Sequence, residues 1–145
     1  MLQQTRVEAV KGYYARFIDA LPEIEDLAVC PEEKLLKLWE GLGYYNRVKN
    51  MQKAAREVME LYGGKLPADY DKLLGLSGIG SYTAGAVASI AFGISKPAVD
   101  GNVLRVITRI TENSSDILKQ STKREMEKCL EKIMPVHAPG AFNQS

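Results

Sequence analysis

The sequence predicts an all-α fold. Apolar residues recur at helical spacing along most of the chain. No stretch alternates polar and apolar as a half-buried strand does, and the breaks fall at glycine and proline. Leu2, Val7, Val10, Tyr14, Phe17 and Leu21 form the apolar face of an opening helix that Pro22 stops. A short helical turn is expected over Ile24 to Val29. Pro31 opens the next helix, with Glu32 and Glu33 at its positive end and Leu35, Leu36, Leu38 and a core Trp39 facing inward. "GLGYYN" breaks it at Gly41 and Gly43, and one of Tyr44 and Tyr45 is expected to be buried. A long helix runs from about Tyr44 to Tyr62, with Val48, Met51, Ala55, Val58 and Leu61 inward. "GGKLP" ends it. A short helix over Asp69 to Leu74 precedes Ser81 to Phe92, which is small and apolar nearly all round and reads as a buried central helix. "GISKP" marks a lobe boundary. Asn102 to Thr111 is helical, "NSSD" is a loop, Thr122 to Ile133 buries Met126, Cys129, Leu130 and Ile133, and "GAFNQS" starts one more helix. Neither repeats nor low-complexity segments occur.

With 145 residues the chain suits one compact domain or two small lobes. Hydrophobic residues make up 46% and charged residues 26%, ordinary for a globular protein. Nineteen basic and 18 acidic residues leave a net charge of +1, which excludes a strongly basic nucleic-acid tail. It leaves open DNA binding through backbone N–H groups and helix N-termini. Two distant cysteines, Cys30 and Cys129, fit a reducing compartment and buried thiols better than a disulfide framework. One histidine and no Cys–x–x–Cys leave no metal cage. The longest apolar run, Thr83 to Ile94, is about half a membrane span, so no membrane partner is expected.

The stretch "LSGIGSYTAG" puts glycines at 78 and 80 before a regular helix. Each glycine tolerates positive φ and close backbone approach, and Ser81 and Thr83 are placed to cap the helix. Two readings fit. In one, the helix's leading N–H groups dock a phosphate; in the other, the turn is a plain corner whose glycines serve packing. Arg47, Lys49, Lys53 and Arg56 likewise either approach phosphates or form a solvated face.

Four motifs in order carry a resemblance. "LSGIGSYTA" resembles the helix-hairpin-helix of the endonuclease III superfamily of DNA glycosylases, and "VDGNV" resembles the segment bearing that superfamily's catalytic aspartate. "MLQQT" and "WEGLGYYNR" are similar to signatures of its adenine DNA glycosylase branch, the MutY family. The resemblance covers essentially the whole chain. It implies a helix-hairpin-helix glycosylase fold. Residues 1–94 would form a six-helix barrel lobe with the hairpin over about 74–86, and residues 95–145 part of an iron–sulfur cluster lobe. The cleft would lie between the lobes.

The implied function is base-excision repair: hydrolysis of the N-glycosidic bond of adenine mispaired with guanine or 8-oxoguanine in double-stranded DNA. The reaction needs a proton for the leaving base and negative charge beside a sugar that becomes cationic. Asp100 is the implied carboxylate; as a residue alone it also reads as a helix N-terminal acid. Asn102 caps the following helix, hydrogen-bonds beside Asp100, or both. Tyr82 stands where the strand-cutting branch carries a lysine, and a phenol forms no Schiff base, so the enzyme is expected to be monofunctional. Gln4 and Tyr44 resemble residues that wedge into the duplex when the base is flipped, and Leu42 would contact bases beside them. With Gly78, Gly80, Ser81 and Thr83 these are the expected DNA contacts. Gln3 resembles a pocket residue, and Gln144 in "FNQ" matches a position that meets the adenine edge, for which an amide offers both donor and acceptor.

The family's general-acid glutamate lies just before the stretch matching Met1. No glutamate here matches it, and Glu8 lies past the motif. Loss of a positioned acid costs on the order of 10²–10⁴ in rate, so the chain by itself is expected to be inactive or nearly so. The family's four cysteines for a 4Fe–4S cluster would follow "FNQ"; Cys30 and Cys129 match none of them. No cofactor is expected within these residues and the cluster is expected in the full-length protein. That protein is expected to be a monomer inside the cell: in a bacterial cytoplasm, or in a nucleus or mitochondrion. The chain reads as a piece truncated at both ends, marginally stable or self-associating through exposed apolar surface. Competing readings are a related glycosylase for oxidised pyrimidine or for thymine opposite guanine, and a non-catalytic hairpin module that only docks DNA.

Overall fold

The structure, a computed structural model, describes residues 1–3 and 5–145; the expectation for Gln4 lies outside the described residues. Among the described residues every regular element is helical and none is a strand. In order they are α1 (Val7–Ala20), α2 (Ile24–Val29), α3 (Glu32–Trp39), α4 (Asn46–Tyr62), α5 (Tyr70–Leu74), α6 (Ser81–Phe92), α7 (Gly101–Ile110), α8 (Gln120–Ile133) and α9 (Pro139–Gln144). The expected all-α class holds.

The chain divides into two compact units. The first comprises Met1–Leu66 and Leu76–Gly78, and the second comprises Pro67–Gly75 and Ile79–Ser145. This division follows contact density and cuts the chain at other points than the lobes implied by resemblance.

In the first unit Val10, Phe17, Leu21, Cys30, Leu35, Trp39, Leu42 and Val48 form the core. Phe17 meets Trp39 edge-on, centroids 6.1 Å apart. Helix α2 is too short to be stable alone, and α4 completes it. The buried Gln52 amide donates to Leu27 O (3.1 Å) and Cys30 O (2.6 Å), and Arg56 Nε donates to Ala28 O (2.9 Å). These bonds satisfy carbonyls at the α2 C-terminus that have no helical partner. Helix α1 begins only at Val7, later than the apolar pattern suggests. The guanidinium of Arg47 takes the carbonyls of Met1 and Gln3, which a helix would spend on its own amides. Leu2, Val7, Tyr14 and Ile18 consequently stay exposed.

In the second unit Val99, Leu104, Met126 and Leu130 form the core, with Ile107, Ile117 and Phe142 against it. Helix α8 turns Thr122, Met126 and Leu130 inward at a spacing of one turn. Cys129 and Ile133, expected inside, are exposed, as is Leu61 of α4. Helix α6 is buried on one face only, at Ala84, Gly85, Ala88 and Ser89, while Tyr82 and Ile90 are exposed. Small residues here buy close approach of backbone rather than burial all round. A Cβ on Gly85 would stand 2.3 Å from Pro97 O, and one on Gly140 would stand 3.1 Å from Ser89 O. No described helix is long and apolar enough to cross a membrane.

Candidate functional site

The "GLGYYN" turn is built on positive φ at Gly41 (97°), Gly43 (68°) and Tyr44 (49°). Positive φ at a tyrosine is costly and points to a turn held by its surroundings. The turn faces outward: Tyr44 is 67% and Tyr45 41% exposed, so neither is the buried member expected. Leu42 is 7% exposed and packs in the first unit's core. It supports the turn and offers no side-chain surface to a base.

Arg47 ties this turn to the N-terminal segment. Nη1 donates to Met1 O (2.8 Å), Gln3 O and Thr5 Oγ1 (3.0 Å), and Nη2 donates to Leu42 O (3.1 Å) and Gly43 O (3.2 Å). Its guanidinium lies 5.3 Å from the Trp39 ring centroid and 5.6 Å from that of Tyr44. Trp39 Nε1 donates to Gly43 O (3.0 Å). Arg47 does not lie on a solvated face: its guanidinium donates to four backbone carbonyls and the Thr5 hydroxyl. Lys49 pairs instead with Glu32 at 2.6 Å on the surface. Gln3, Tyr44, Tyr45, Asn46 and Arg47 line one open recess of about 480 Å³, which brings two of the expected site residues, Gln3 and Tyr44, together.

In the hairpin turn, Ser77 donates from its N–H (2.8 Å) and its hydroxyl (2.6 Å) to the two oxygens of Glu57 on α4. The Ser77 hydroxyl, then its amide, hold the Glu57 carboxyl below its ordinary range. Gly78 has φ 75°, and a Cβ there would stand 2.7 Å from Asn50 Cβ. Positive φ and contact with α4 both demand glycine. Gly80 differs. It is the N-cap of α6 in extended backbone, with nothing near the place of a Cβ. Gly80, not Ser81 or Thr83, holds the N-cap position of α6 and has no side chain with which to cap; Ala84 N–H bonds to Gly80 O (2.8 Å). Ser81 Oγ accepts from Lys123 Nζ (3.0 Å), which places a cation at the positive end of a helix. Nothing local in the sequence marks Lys123 for this contact, whose partner lies 42 residues away along the chain.

Asp100 is the N-cap of α7. Its Oδ1 accepts from the N–H groups of Asn102 and Val103, both at 2.9 Å, and Oδ2 accepts from Asn102 Nδ2 at 3.2 Å. Asn102 Oδ1 in turn accepts from Arg105 (3.0 Å). A carboxylate offers about four acceptor sites, and the three bonds to Asp100 leave one of them on Oδ2. Of the two roles weighed for Asn102, the cap falls to Asp100, which accepts from the Asn102 amide; the Asn102 side chain does hydrogen-bond beside Asp100. Tyr82, second in α6, is 44% exposed. Gln144 is exposed, and its amide donates to Gly140 O (3.2 Å). It lines an open recess of about 580 Å³ with Ile90 and His137, which Asp100 does not line.

The two cysteines cannot supply a 4Fe–4S cluster, which takes four thiolates. Cys30 is buried, Cys129 is exposed, and no group of three or more metal-binding side chains gathers among the described residues. The residues present do not fit that cofactor, and no chemistry is routed through it.

The family model described as HhH-GPD superfamily base excision DNA repair protein matches residues 1–135. The chain is 41% identical over 146 aligned residues to an adenine DNA glycosylase of Mus musculus, covering 100% of this chain and 28% of that protein. It thus spans little more than a quarter of that relative's length. A solved thermostable thymine-DNA glycosylase superposes with a TM-score of 0.85 at 30% identity, over 98% of this chain and 65% of that one. A non-covalent endonuclease III–DNA complex gives 0.81 at 30% identity, with the same coverage. The helix-hairpin-helix, the aspartate-capped α7 and the match along nearly the whole length agree: the chain belongs to the HhH-GPD superfamily of base excision DNA repair proteins.

Proposed function

We propose that this chain carries the DNA-docking and sugar-stabilising parts of a monofunctional adenine DNA glycosylase, acting on adenine opposite guanine or 8-oxoguanine in duplex DNA. The observation that carries the reading is the 41% identity to an adenine DNA glycosylase across the entire chain, which takes in all four motifs. The geometry is compatible with the chemistry. Loss of the base leaves positive charge on the sugar, and the acceptor site remaining on Asp100 Oδ2 offers it a carboxylate lone pair. Asn102 keeps that carboxylate in one rotamer. Tyr82 supplies no amine, so water adds to the sugar carbon as the base leaves, and the abasic sugar stays in an uncut strand. Gly78 sets the turn, and Gly80, Ser81 and Thr83 present the α6 N-terminus to a phosphate, with the charge of Lys123 beside it. Gln3 and the exposed Tyr44 meet the duplex where the base has left, and Leu42 holds their turn from behind. Gln144 reads the base edge.

The test uses this chain preceded by the glutamate-bearing segment that the resemblance places before it. Duplexes carrying A opposite 8-oxoguanine, T opposite G, and thymine glycol are compared. Free adenine from the first, with the strand intact until alkali is added, is expected. The thymine-DNA glycosylase neighbour makes T opposite G the informative competitor. Faster thymine release, or strand cutting without alkali, would replace this reading with the related one.

A further inference from the structure

We propose that Asn143 is a positioning residue for the Asp100 carboxylate. The inference rests on the reading above, in which Asp100 acts on the sugar. Residues 93–99 form a strap without secondary structure between α6 and α7, and it ends at the α7 N-cap. Ala98 and Val99 are buried, and buried backbone outside helices needs partners from elsewhere. One side chain supplies them. Asn143 Oδ1 accepts from Ala98 N–H (3.0 Å), and Nδ2 donates to Lys96 O (3.0 Å) and to Ser89 Oγ (2.6 Å). Three of the amide's four hydrogen-bonding sites are thereby used, two on the strap and one on α6.

Other contacts hold the strap against the same helix. Pro97 O lies where a Cβ of Gly85 would be, so strap and α6 touch backbone to backbone. Lys96 Nζ pairs with Glu131 on α8 at 2.6 Å and lies 5.0 Å from the Tyr70 ring centroid. Asn143 bonds to the strap's backbone on both sides of Pro97. Two residues beyond Ala98 stands Asp100. A catalytic group must be held within about 0.5 Å of its working place, and a misplacement of about 1 Å costs on the order of 10²-fold in rate. The amide next to the base-reading candidate Gln144 therefore sets the carboxylate that meets the sugar.

The experiment compares Asn143→Ala, Asn143→Asp and Ser89→Ala in the protein described above. Readouts are peptide hydrogen exchange, DNA Kd, and the single-turnover rate of adenine release. Asn143→Ala is expected to speed exchange across residues 93–103 about tenfold, leave α1–α4 unchanged, and slow release about 10- to 100-fold with Kd within twofold. Asn143→Asp keeps the acceptor for Ala98 N–H but sets a carboxylate against Lys96 O, and should lie between Asn143→Ala and wild type. Ser89→Ala removes the Asn143–Ser89 bond and the Ser89 bond to Ala86 O, leaves both bonds to the strap, and should release adenine as wild type does. Unchanged exchange at the strap in Asn143→Ala, or a loosened strap with an unaltered rate, overturns the proposal. So does a Ser89→Ala loss equal to that of Asn143→Ala, which would make Asn143 a packing residue of α9. If the wild type releases no adenine, the activity reading fails, and with it the catalytic consequence drawn here; the strap exchange then reports only whether Asn143 is a clamp.

Discussion

Asp100 caps α7 and, in the function proposed above, also meets the sugar; one substitution separates the two. Asparagine is as good an N-cap as aspartate, because its side-chain oxygen still accepts from the Asn102 and Val103 amides. Asp100→Asn should therefore melt within a degree or two of wild type. The lost negative charge should slow adenine release by on the order of 10²–10³-fold, as removal of one oxyanion-type contact does elsewhere. Equal rates at equal melting temperature would leave Asp100 a helix cap only. Arg47 is the converse case, a cation whose work is structural. Lysine cannot reach acceptors in both the N-terminal segment and the glycine turn with a fork. Arg47→Lys should cost about 2–3 kcal/mol in a denaturant titration, since half-buried carbonyls lose charge-assisted bonds. No pattern in the sequence separates this arginine from its solvated neighbours, whereas the motif around Asp100 is legible at sight.

At the scale of elements, the two hairpin glycines should behave differently. Gly78→Ala meets both positive φ and the Asn50 side chain, so it should lower stability by about 1–3 kcal/mol. Gly80→Ala adds a methyl in extended backbone with open space around it, and the fold should be unaffected. If a phosphate docks there, Gly80→Ala should still weaken DNA binding severalfold, measured by fluorescence anisotropy. The turn also carries an acid dependence. The folded-state pKa of Glu57 lies below its ordinary value of 4.5, so its bonds to Ser77 stabilise the turn above that value and are lost as pH falls through the lower one. Protection of the Ser77 amide against exchange should therefore fall in the wild type as the pH is taken down from 4.5 through the lowered pKa of Glu57, and stay flat in Glu57→Gln. An unaltered wild-type profile would remove Glu57 as the holder of the turn. Helix existence was readable because its pattern is local. The late start of α1 was not, since it depends on carbonyls taken by Arg47 from α4.

For the molecule as a whole, a net charge of +1 constrains how it would meet DNA in the function proposed above. Backbone amides release counterions only through the few phosphates they contact. The logarithm of affinity should fall with the logarithm of salt at a slope of about −2 to −4, and Lys123→Gln should reduce that slope by about one. A slope near −8 would mean an extended cationic surface and refute docking by the hairpin. Within the second unit, α6 brings its small face to the strap and to α9, so the residues on the Asp100 side inherit their order from backbone contacts at Gly85 and Gly140.

Sequence alone determined the helical class, most helix boundaries and the motif residues from which chemistry is argued. These rest on spacing of a few residues, on glycine and proline, and on the identity of short runs. Tertiary structure decided what each polar side chain touches. Arg47 with Met1, Asn143 with Ala98 and Lys123 with Ser81 are separated by 46, 45 and 42 residues. A buried carbonyl or amide takes whichever donor or acceptor the fold brings within about 3 Å, and that choice is made only after the helices have packed.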